Sequence, residues 1–338
     1  KAQVDVGDAD EGSNDQEGNK EGVGVDSLMA AMGAIMMCDS DDNNELDEDN
    51  DTGGVTTMLD EHTLPRIKRN DPNITALTVD WEEGEFSPGF DWEKCNNEGC
   101  WKIGNNTHVK KMSIIGCYFD VDDDDDAKDE VWARKNFKAF WEGLAGNRLI
   151  EHLQIDDCDL SSGALFSTLD PFFKENSNLR RLDVSSCILD AEGTLDLSSA
   201  LEGGCDNNNN TNNNSSSLER IELDCNDIDD ESAGELIAAL NPHHHCNLVK
   251  LSLVGNNIGK NACDALGDLL RNPKCRLKEL YLNRNSIDDG CVSVLVDALV
   301  ENSVLEKLDL SSNSSITAAG WQALSTFDGK VKVVGAKH

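Results

Sequence analysis

Leu248–Ile258 (LVKLSLVGNNI) and Leu277–Ile287 (LKELYLNRNSI) place leucine or isoleucine at the same four positions of an eleven-residue motif. Both also carry asparagine at position nine. The same pattern, with other aliphatic residues or Met allowed, begins again at Val109, Ile150, Leu179, Leu218 and Leu305. Successive starts are 41, 29, 39, 30, 29 and 28 residues apart. An internal repeat of 28 to 30 residues therefore governs the chain, and two of its units are lengthened.

Two polar insertions account for the longer units. One is Asp120–Asp126 (DVDDDDD), and the other is the Asn-rich tract near 206–217, which contains NNNNTNNNSSS. Each lies outside the alternating part of the motif, where a loop can lengthen at small entropic cost. The Asn-rich tract is of low complexity and cannot build a packed core, so we expect it to form a loop.

Short strands and helices are predicted to alternate along the repeat. Between the motifs, apolar residues recur at helical spacing in Glu235–Leu240, Ala265–Leu270 and Val294–Leu299. A unit of this length has room for one strand and one full helix. Because each unit can bury its apolar side only against its neighbours, the sequence predicts a curved α/β solenoid. Parallel strands should line its concave face and helices its convex face.

The links between helix and strand carry a family resemblance. Asn241–Leu248 and Asn272–Leu277 both begin with Asn-Pro and end with Cys-x-Leu. Together with the repeat, these residues resemble the ribonuclease-inhibitor-like subtype of leucine-rich repeats over roughly residues 70–338. The resemblance implies a right-handed leucine-rich-repeat solenoid, or horseshoe. A degenerate unit at Ile74–Val79 is predicted to start the stack, and Val331–Val334 to add a last strand.

Position nine of the motif is predicted to form a structural ladder. In folds of this type the chain turns inward here, and the side chain pairs with backbone groups that would otherwise be buried unpaired. Asn offers two donors and two lone pairs, whereas Cys offers one weak donor, so the Cys rungs should be weaker. The predicted ladder residues are Cys117, Cys158, Cys187, Asn226, Asn256, Asn285 and Asn313.

Three regions are predicted along the chain. Residues 1–60 carry 17 acidic and 2 basic side chains, and we expect disorder because little apolar surface offsets the entropy of ordering. Residues 61–108 contain an aromatic group that includes Trp81 and Trp101, which we interpret as an N-terminal cap with a degenerate first repeat. This cap is also an alternative binding surface. Residues 109–338 are predicted to form the solenoid.

The formal net charge of −36 disfavours two classes of partner. An acidic surface repels phosphate backbones and anionic lipids, so no nucleic acid and no membrane partner is predicted. The sequence also contains no run of about 18 apolar residues, which a membrane-spanning helix needs. We interpret the 12 cysteines as reduced, buried thiols, which predicts a cytoplasmic or nuclear protein.

Residues between the aliphatic positions of the motif are expected to face outward from the strands. Acidic side chains gather at these positions in the middle repeats. Tyr281 and Arg284, of residue types favoured at protein interfaces, lie nearer the C-terminus. The candidate partner-binding residues are Gln154, Asp156, Asp183, Glu222, Asp224, Val254, Tyr281, Asn283 and Arg284.

The sequence shows no catalytic constellation. It has no glycine-rich phosphate loop, no Gly-x-Ser-x-Gly elbow and no His-Glu-x-x-His. His243–Cys246 resembles a metal-binding tract, yet adjacent residues of a regular structure cannot all point at one ion, so no metal site and no cofactor is predicted.

The resulting hypothesis is a non-enzymatic scaffold whose acidic concave face binds a protein with a basic or mixed surface. Two alternatives from the same repeat type are a GTPase-activating accessory protein and an inhibitor of a basic ribonuclease. The sequence leaves the oligomeric state open.

Overall fold

Ten parallel strands form a single open sheet whose order follows the chain. Each strand pairs in parallel with the strands before and after it in the sequence. The structure is a computed structural model. It describes residues 56–59, 62–80, 105–116, 143–144, 146–160, 172–173, 176–203, 217–240, 247–326 and 331–335. Strand order and pairing confirm the predicted solenoid of parallel strands.

Helices alternate with strands in the second half of the chain, as the repeat predicts. The strands are β1 (Thr56–Met58), β2 (Ala76–Asp80), β3 (Lys111–Ile115), β4 (His152–Asp156), β5 (Arg181–Ser185), β6 (Arg220–Glu222), β7 (Lys250–Ser252), β8 (Glu279–Tyr281), β9 (Lys307–Asp309) and β10 (Lys332–Val334). The helices are α1 (Thr63–Lys68), α2 (Ala191–Gly203), α3 (Asp230–Ala239), α4 (Lys260–Arg271), α5 (Asp289–Glu301) and α6 (Ala318–Thr326). From α2 to α6, each helix packs against the next.

The aliphatic positions of the motif build the core between sheet and helices. Leu251 and Leu253 in one unit, and Leu280 and Leu282 in the next, are fully buried. Each such side chain stabilises the fold by about 1.5–3 kcal/mol relative to exposure. Strand residues on either side of these leucines point away from the helices because successive side chains alternate across a strand. The same alternation creates the face that a partner could reach.

The sheet begins at Thr56, before residue 109, where the solenoid was predicted to start, and before residue 60, where the predicted disordered segment ends. Thr56–Met58 pair in parallel with Ala76–Thr78, and the Leu59 amide donates to the Thr78 carbonyl at 2.8 Å. The prediction of disorder is therefore wrong for residues 56–59, because the neighbouring strand satisfies their backbone groups. The degenerate unit around Ile74 forms β2, and the last predicted strand forms β10.

Several predicted features lie outside the described residues. They are the remainder of 1–60, the aromatic residues of the cap, Cys117, the Asp-rich insertion, most of the Asn-rich tract and His243–Cys246.

The cysteines do not all share one state. Cys158, Cys187, Cys263, Cys275 and Cys291 are free and buried. Cys225, in the turn after β6, is disulfide-bonded, so the prediction of a reduced thiol is wrong at this position. Unlike the free thiols, Cys225 is only half-buried, so its sulfur is not enclosed by the core.

Side chains at position nine bond the backbone of the neighbouring unit. The Asn285 amide donates to the Leu253 carbonyl at 2.8 Å and accepts from the Ile258 amide at 2.9 Å. The Cys187 thiol instead makes one longer contact across units, 3.5 Å to the Ile155 carbonyl. Asn256, Asn285 and Asn313 thus pair both a donor and an acceptor of the backbone, whereas Asn226 and this Cys rung only donate across units.

A second series of asparagines joins the N-terminal units at the entry to their strands. The Asn147 carboxamide oxygen accepts from the Leu149 and Ile150 amides, and its nitrogen lies 3.5 Å from the Asn106 carbonyl. Asn176 repeats the arrangement one unit later and donates to the Asn147 carbonyl at 3.1 Å. These contacts reinforce the units in which the first ladder has Cys.

Candidate interaction surface

The side of the sheet that faces away from the helices carries two aligned rows of side chains, and we call it the strand face. Strand pairing aligns the third motif residues of successive units with one another, and likewise the fifth residues. The third-position row comprises Lys111, His152, Arg181, Arg220, Lys250, Glu279 and Lys307, and Lys332 continues it on β10. The fifth-position row comprises Ser113, Gln154, Asp183, Glu222, Ser252, Tyr281 and Asp309.

Asp156, Asp183, Glu222 and Asp224 lie on three consecutive strands or directly after them, and we call them the central acidic cluster. Their carboxylates are held by specific partners. The Ser185 hydroxyl donates to Asp183 at 2.7 Å, and the Val254 amide donates to Asp224 at 3.0 Å. Asp183 and Asp224 are therefore fixed on the strand face by hydrogen bonds.

Two cations of the third-position row bridge this cluster. An Arg181 guanidinium nitrogen lies 3.2 Å from Glu222 Oε2 and 3.6 Å from Asp183 Oδ2. On the other side, Lys250 Nζ lies 3.6 Å from Glu222 Oε1. The strand face is thus mixed in charge, with carboxylates in the fifth and seventh positions beside a row of cations.

Sequence reasoning missed this cationic row. The pattern is visible in the sequence, because the third motif position is basic in five of the seven units and histidine in a sixth. The sequence-based prediction of the outward surface used the fifth and seventh motif positions and left out the third. In β4 and β5 the third and the fifth motif residues are both partly exposed, because they lie on the same side of the strand.

Burial and mutual repulsion raise the pKa values of Asp183 and Asp224 in the cluster. For Asp224, burial is the largest cause, the charges of Glu222 and Asp183 add to it, and the pKa rises to about 6. The pKa of Asp183 is also raised, chiefly by burial. Ionising a carboxyl group in low dielectric next to others costs free energy. A cationic group brought to this surface would reduce that cost.

His152 stands at the edge of the cluster in the third-position row. Burial, the largest cause, and the neighbouring charges of Arg181, Lys111 and Arg220 together lower its pKa to about 3. The imidazole is therefore neutral at physiological pH and adds no positive charge to the row.

Three polar atoms on adjacent strands are buried without a hydrogen bond: His152 Nε2, Arg181 Nε and Glu222 Oε1. The 3.6 Å separation between Glu222 Oε1 and Lys250 Nζ is an ion pair but is too long for an ordinary hydrogen bond. A buried unpaired polar group costs about 1–3 kcal/mol. The cluster is therefore not optimised for stability.

A second group, toward the C-terminal end of the strand face, surrounds Tyr281. The ring has Lys250 Nζ 5.2 Å and Lys307 Nζ 4.6 Å from its centroid, within the range of cation–π attraction. The Tyr281 hydroxyl lies 2.9 Å from Glu279 Oε2. Lys250 thus connects the acidic cluster to the aromatic ring.

The other candidate residues differ in their exposure. Val254 and Asn283 are 5% and 6% exposed, so the expectation that they present outward contact surface is wrong. The chain turns directly after both positions, where Gly255 and Arg284 have positive φ. Gln154 is half-buried and accepts from the Ser113 hydroxyl at 3.3 Å. Arg284 lies in the turn after β8 with a positive φ of 59°, where its amide donates to the Ser311 carbonyl.

Across the described ranges, no three His, Cys, Asp or Glu side chains are placed to hold a metal ion. In the same residues no helix is long and apolar enough to cross a membrane.

The repeat is also recognised when the chain is compared with known protein families. Four stretches, 175–199, 214–236, 244–267 and 301–325, match the family model described as Leucine Rich repeat. Over these four stretches the chain is similar to leucine-rich repeats. Each of the four matched stretches includes a strand of the sheet and at least part of the following helix, so the match follows the repeating unit of the fold.

Relatives of these leucine-rich repeats are found in much longer proteins. Over 151 residues the chain is 34% identical to NACHT, LRR and PYD domains-containing protein 3 of Bos taurus, which covers 44% of this chain and 13% of the relative. Over 261 residues it is 27% identical to NACHT, LRR and PYD domains-containing protein 5 of Homo sapiens, covering 76% of this chain and 19% of the relative. The chain therefore spans less than a fifth of the length of either relative.

Among solved structures, an internalin from Listeria monocytogenes is similar to the leucine-rich repeats described here. It shares 15% sequence identity, with a TM-score of 0.44, and the match covers 81% of this chain and 57% of that chain.

Proposed function

We propose that this chain is a non-enzymatic scaffold that binds a protein partner on its strand face, the concave side of the solenoid, through the central acidic cluster. The observation that carries the proposal is the concentration of four carboxylates on three adjacent units, with the pKa of Asp224 raised to about 6. Such an arrangement costs stability, and the cost is recovered when a partner supplies positive charge.

The charges of the cluster favour a partner with a mixed surface. Arg181 and Lys250 already neutralise part of the negative charge through Glu222 and Asp183. A purely cationic partner would approach these two side chains closely and be repelled. A mixed surface, with lysine or arginine placed over Asp156 and Asp224, fits the pattern of charges.

The proposed subtype is the ribonuclease-inhibitor-like one. Its support is the unit of 28 to 30 residues, long enough for a full helix, and the helices that follow β5 to β9. A shorter unit would leave room for only a turn on the convex side.

The experiment compares proteins retained from a native cell lysate by the wild-type chain and by Asp183→Asn/Glu222→Gln, at low and at moderate salt. The substitutions preserve shape, so folding is checked by circular dichroism and urea unfolding. The matched control is Glu231→Gln/Glu235→Gln, which makes the same change in net charge on the exposed surface of α3.

We expect the cluster variant to lose the partners that the wild-type chain and the control retain, and to lose the salt sensitivity of their retention. Equal retention by the cluster variant and the control contradicts the proposal.

A further inference from the structure

Two lysines face each other at the C-terminal end of the strand face. Lys307 on β9 and Lys332 on β10 are direct partners in the parallel register. Like charges placed opposite each other on neighbouring strands destabilise a sheet. Among the described residues, neither ammonium group lies within 4.0 Å of a carboxylate. Two ammonium groups that contact no carboxylate in the described ranges therefore lie side by side in a chain that is otherwise strongly acidic.

The carboxylates of Glu279 on β8 and Asp309 on β9 contact groups other than these two lysines. Asp309, two residues after Lys307, is 5% exposed and accepts from both the amide and the hydroxyl of Ser311. Glu279 lies opposite Lys307 on β8, but its carboxylate contacts the Tyr281 hydroxyl. Arg181 differs from these two lysines, because its guanidinium group contacts two carboxylates of the central acidic cluster.

The ring of Tyr281 favours an ammonium position close to the sheet. Lys307 Nζ lies 4.6 Å from the ring centroid, so the flexible lysine stem is held at one place on the strand face. Lys332 is exposed beside it. An anionic group that bridges the two ammonium groups would relieve their repulsion, and the aromatic ring would exclude water from one side.

We propose that Lys307 and Lys332 form a carboxylate-binding subsite for acidic side chains of the partner protein. This inference rests on the proposed function, because it assigns a second contact to the same strand face. The partner segment is then bipolar, with basic residues over the central acidic cluster and acidic residues over β9 and β10. Two opposite charge contacts on one face fix the register of the partner along the solenoid.

The separation of the two contacts sets the length of that segment. Neighbouring strands are about 4.8 Å apart, so β5 and β9 are separated by about 19 Å. An extended chain covers about 3.3 Å per residue, and about six residues span this distance. A basic and an acidic block joined by six residues can therefore contact both ends at once.

The test uses three fluorescent peptides and the full chain at low salt. The bipolar peptide is four lysines, Gly-Ser-Gly-Ser-Gly-Ser and four glutamates. The second peptide has glutamines in place of the glutamates, and the third has glutamines in place of the lysines. Binding is measured by fluorescence anisotropy with the wild-type chain, with Lys307→Gln/Lys332→Gln, and with Lys260→Gln/Lys274→Gln as a control of equal charge change.

We expect the wild-type chain to bind the bipolar peptide about fivefold more tightly than the lysine–glutamine peptide, which corresponds to two partly exposed ion pairs. Lys307→Gln/Lys332→Gln should abolish this preference, and the control should keep it. Equal or weaker binding of the bipolar peptide, or a preference that survives in the Lys307→Gln/Lys332→Gln variant, overturns the subsite.

The remaining peptide separates this inference from the proposed function. If the lysine–glutamine peptide does not bind, the acidic cluster fails as a contact. Binding of the glutamine–glutamate peptide that depends on Lys307 and Lys332 would still support the subsite. If that peptide shows no dependence on the two lysines, the subsite fails whatever the acidic cluster does.

Discussion

The carboxylate of Asp230 closes the N-terminus of the helix in the next repeat, where it accepts a hydrogen bond from the Gly259 amide at 2.9 Å. It also accepts from the Asn261 and Ala262 amides. The first amides of a helix have no partner within it, and α4 has no side-chain cap from its own N-cap residue, Gly259. A carboxylate from α3 supplies that cap and joins two repeats through their helices as well as their strands.

Loss of this cap should destabilise the stack. We expect Asp230→Ala to lower the free energy of unfolding by about 1–2 kcal/mol, the usual cost of losing a capping side chain. The measurement is urea unfolding followed by circular dichroism. Glu231→Ala is the control, because Glu231 is exposed in the same turn. Equal stability of the two variants would show that the inter-repeat cap contributes nothing.

Asn and Cys rungs of the ladder should differ in strength. Asn285→Ala leaves the Leu253 carbonyl and the Ile258 amide without their side-chain partner and should cost about 2–4 kcal/mol. Cys187→Ala removes only long thiol contacts and should cost about 1 kcal/mol.

Urea unfolding of the two ladder variants measures this difference. Asn257→Ala is the control for asparagine, since that side chain is exposed and bonds Asp227 at 3.2 Å. A cost for Cys187→Ala as large as that for Asn285→Ala would contradict the ranking.

Asp224 should make stability depend on pH. Its folded-state pKa of about 6 lies above the ordinary value of 3.8, so its protonated form favours the folded state. This contribution is fully present below pH 4 and is lost as pH rises through 6. Asp224→Asn should remove that dependence and raise the free energy of unfolding at pH 7 by up to about 3 kcal/mol. Urea unfolding between pH 4 and 7 tests it, and an unchanged slope in the variant would be incompatible with a raised pKa.

His152 should contribute with the opposite sign. Because burial lowers its pKa from 6.5 to about 3, its neutral form favours the folded state. The contribution is present above pH 6.5 and is lost as pH falls toward 3, with a slope of at most about 1.4 kcal/mol per pH unit. His152→Gln should make the protein less sensitive to acid in this range. The same series of urea experiments measures it, and greater acid sensitivity in the variant would refute the interpretation.

Much of the fold could be predicted from periodicity, whereas the character of the strand face could not. Leucines at fixed positions must be buried, so strand placement followed from the motif. The bridging of Glu222 by Arg181 and Lys250 depends on side chains from three different units. Residues this far apart in sequence meet only through strand register, and the sequence pattern gives no distances between them.

The contacts of the second series of asparagines also could not be predicted from the sequence. Asn106, Asn147 and Asn176 precede the first motif residue by three positions, a spacing visible in the sequence. Their role became evident only from the bonds each makes to the unit before it. Val254 shows the converse, because an apolar residue at an outward position was expected to be accessible and is instead buried.

The sequence by itself determined the repeat, the alternation of strand and helix and the solenoid, because burial of regularly spaced aliphatic side chains allows few other arrangements. Tertiary structure alone decided which polar side chains share a face, which carboxylates have raised pKa values, and that Lys307 and Lys332 lie opposite each other. These properties depend on distances between units, and electrostatic and hydrogen-bond energies change steeply over a few ångströms.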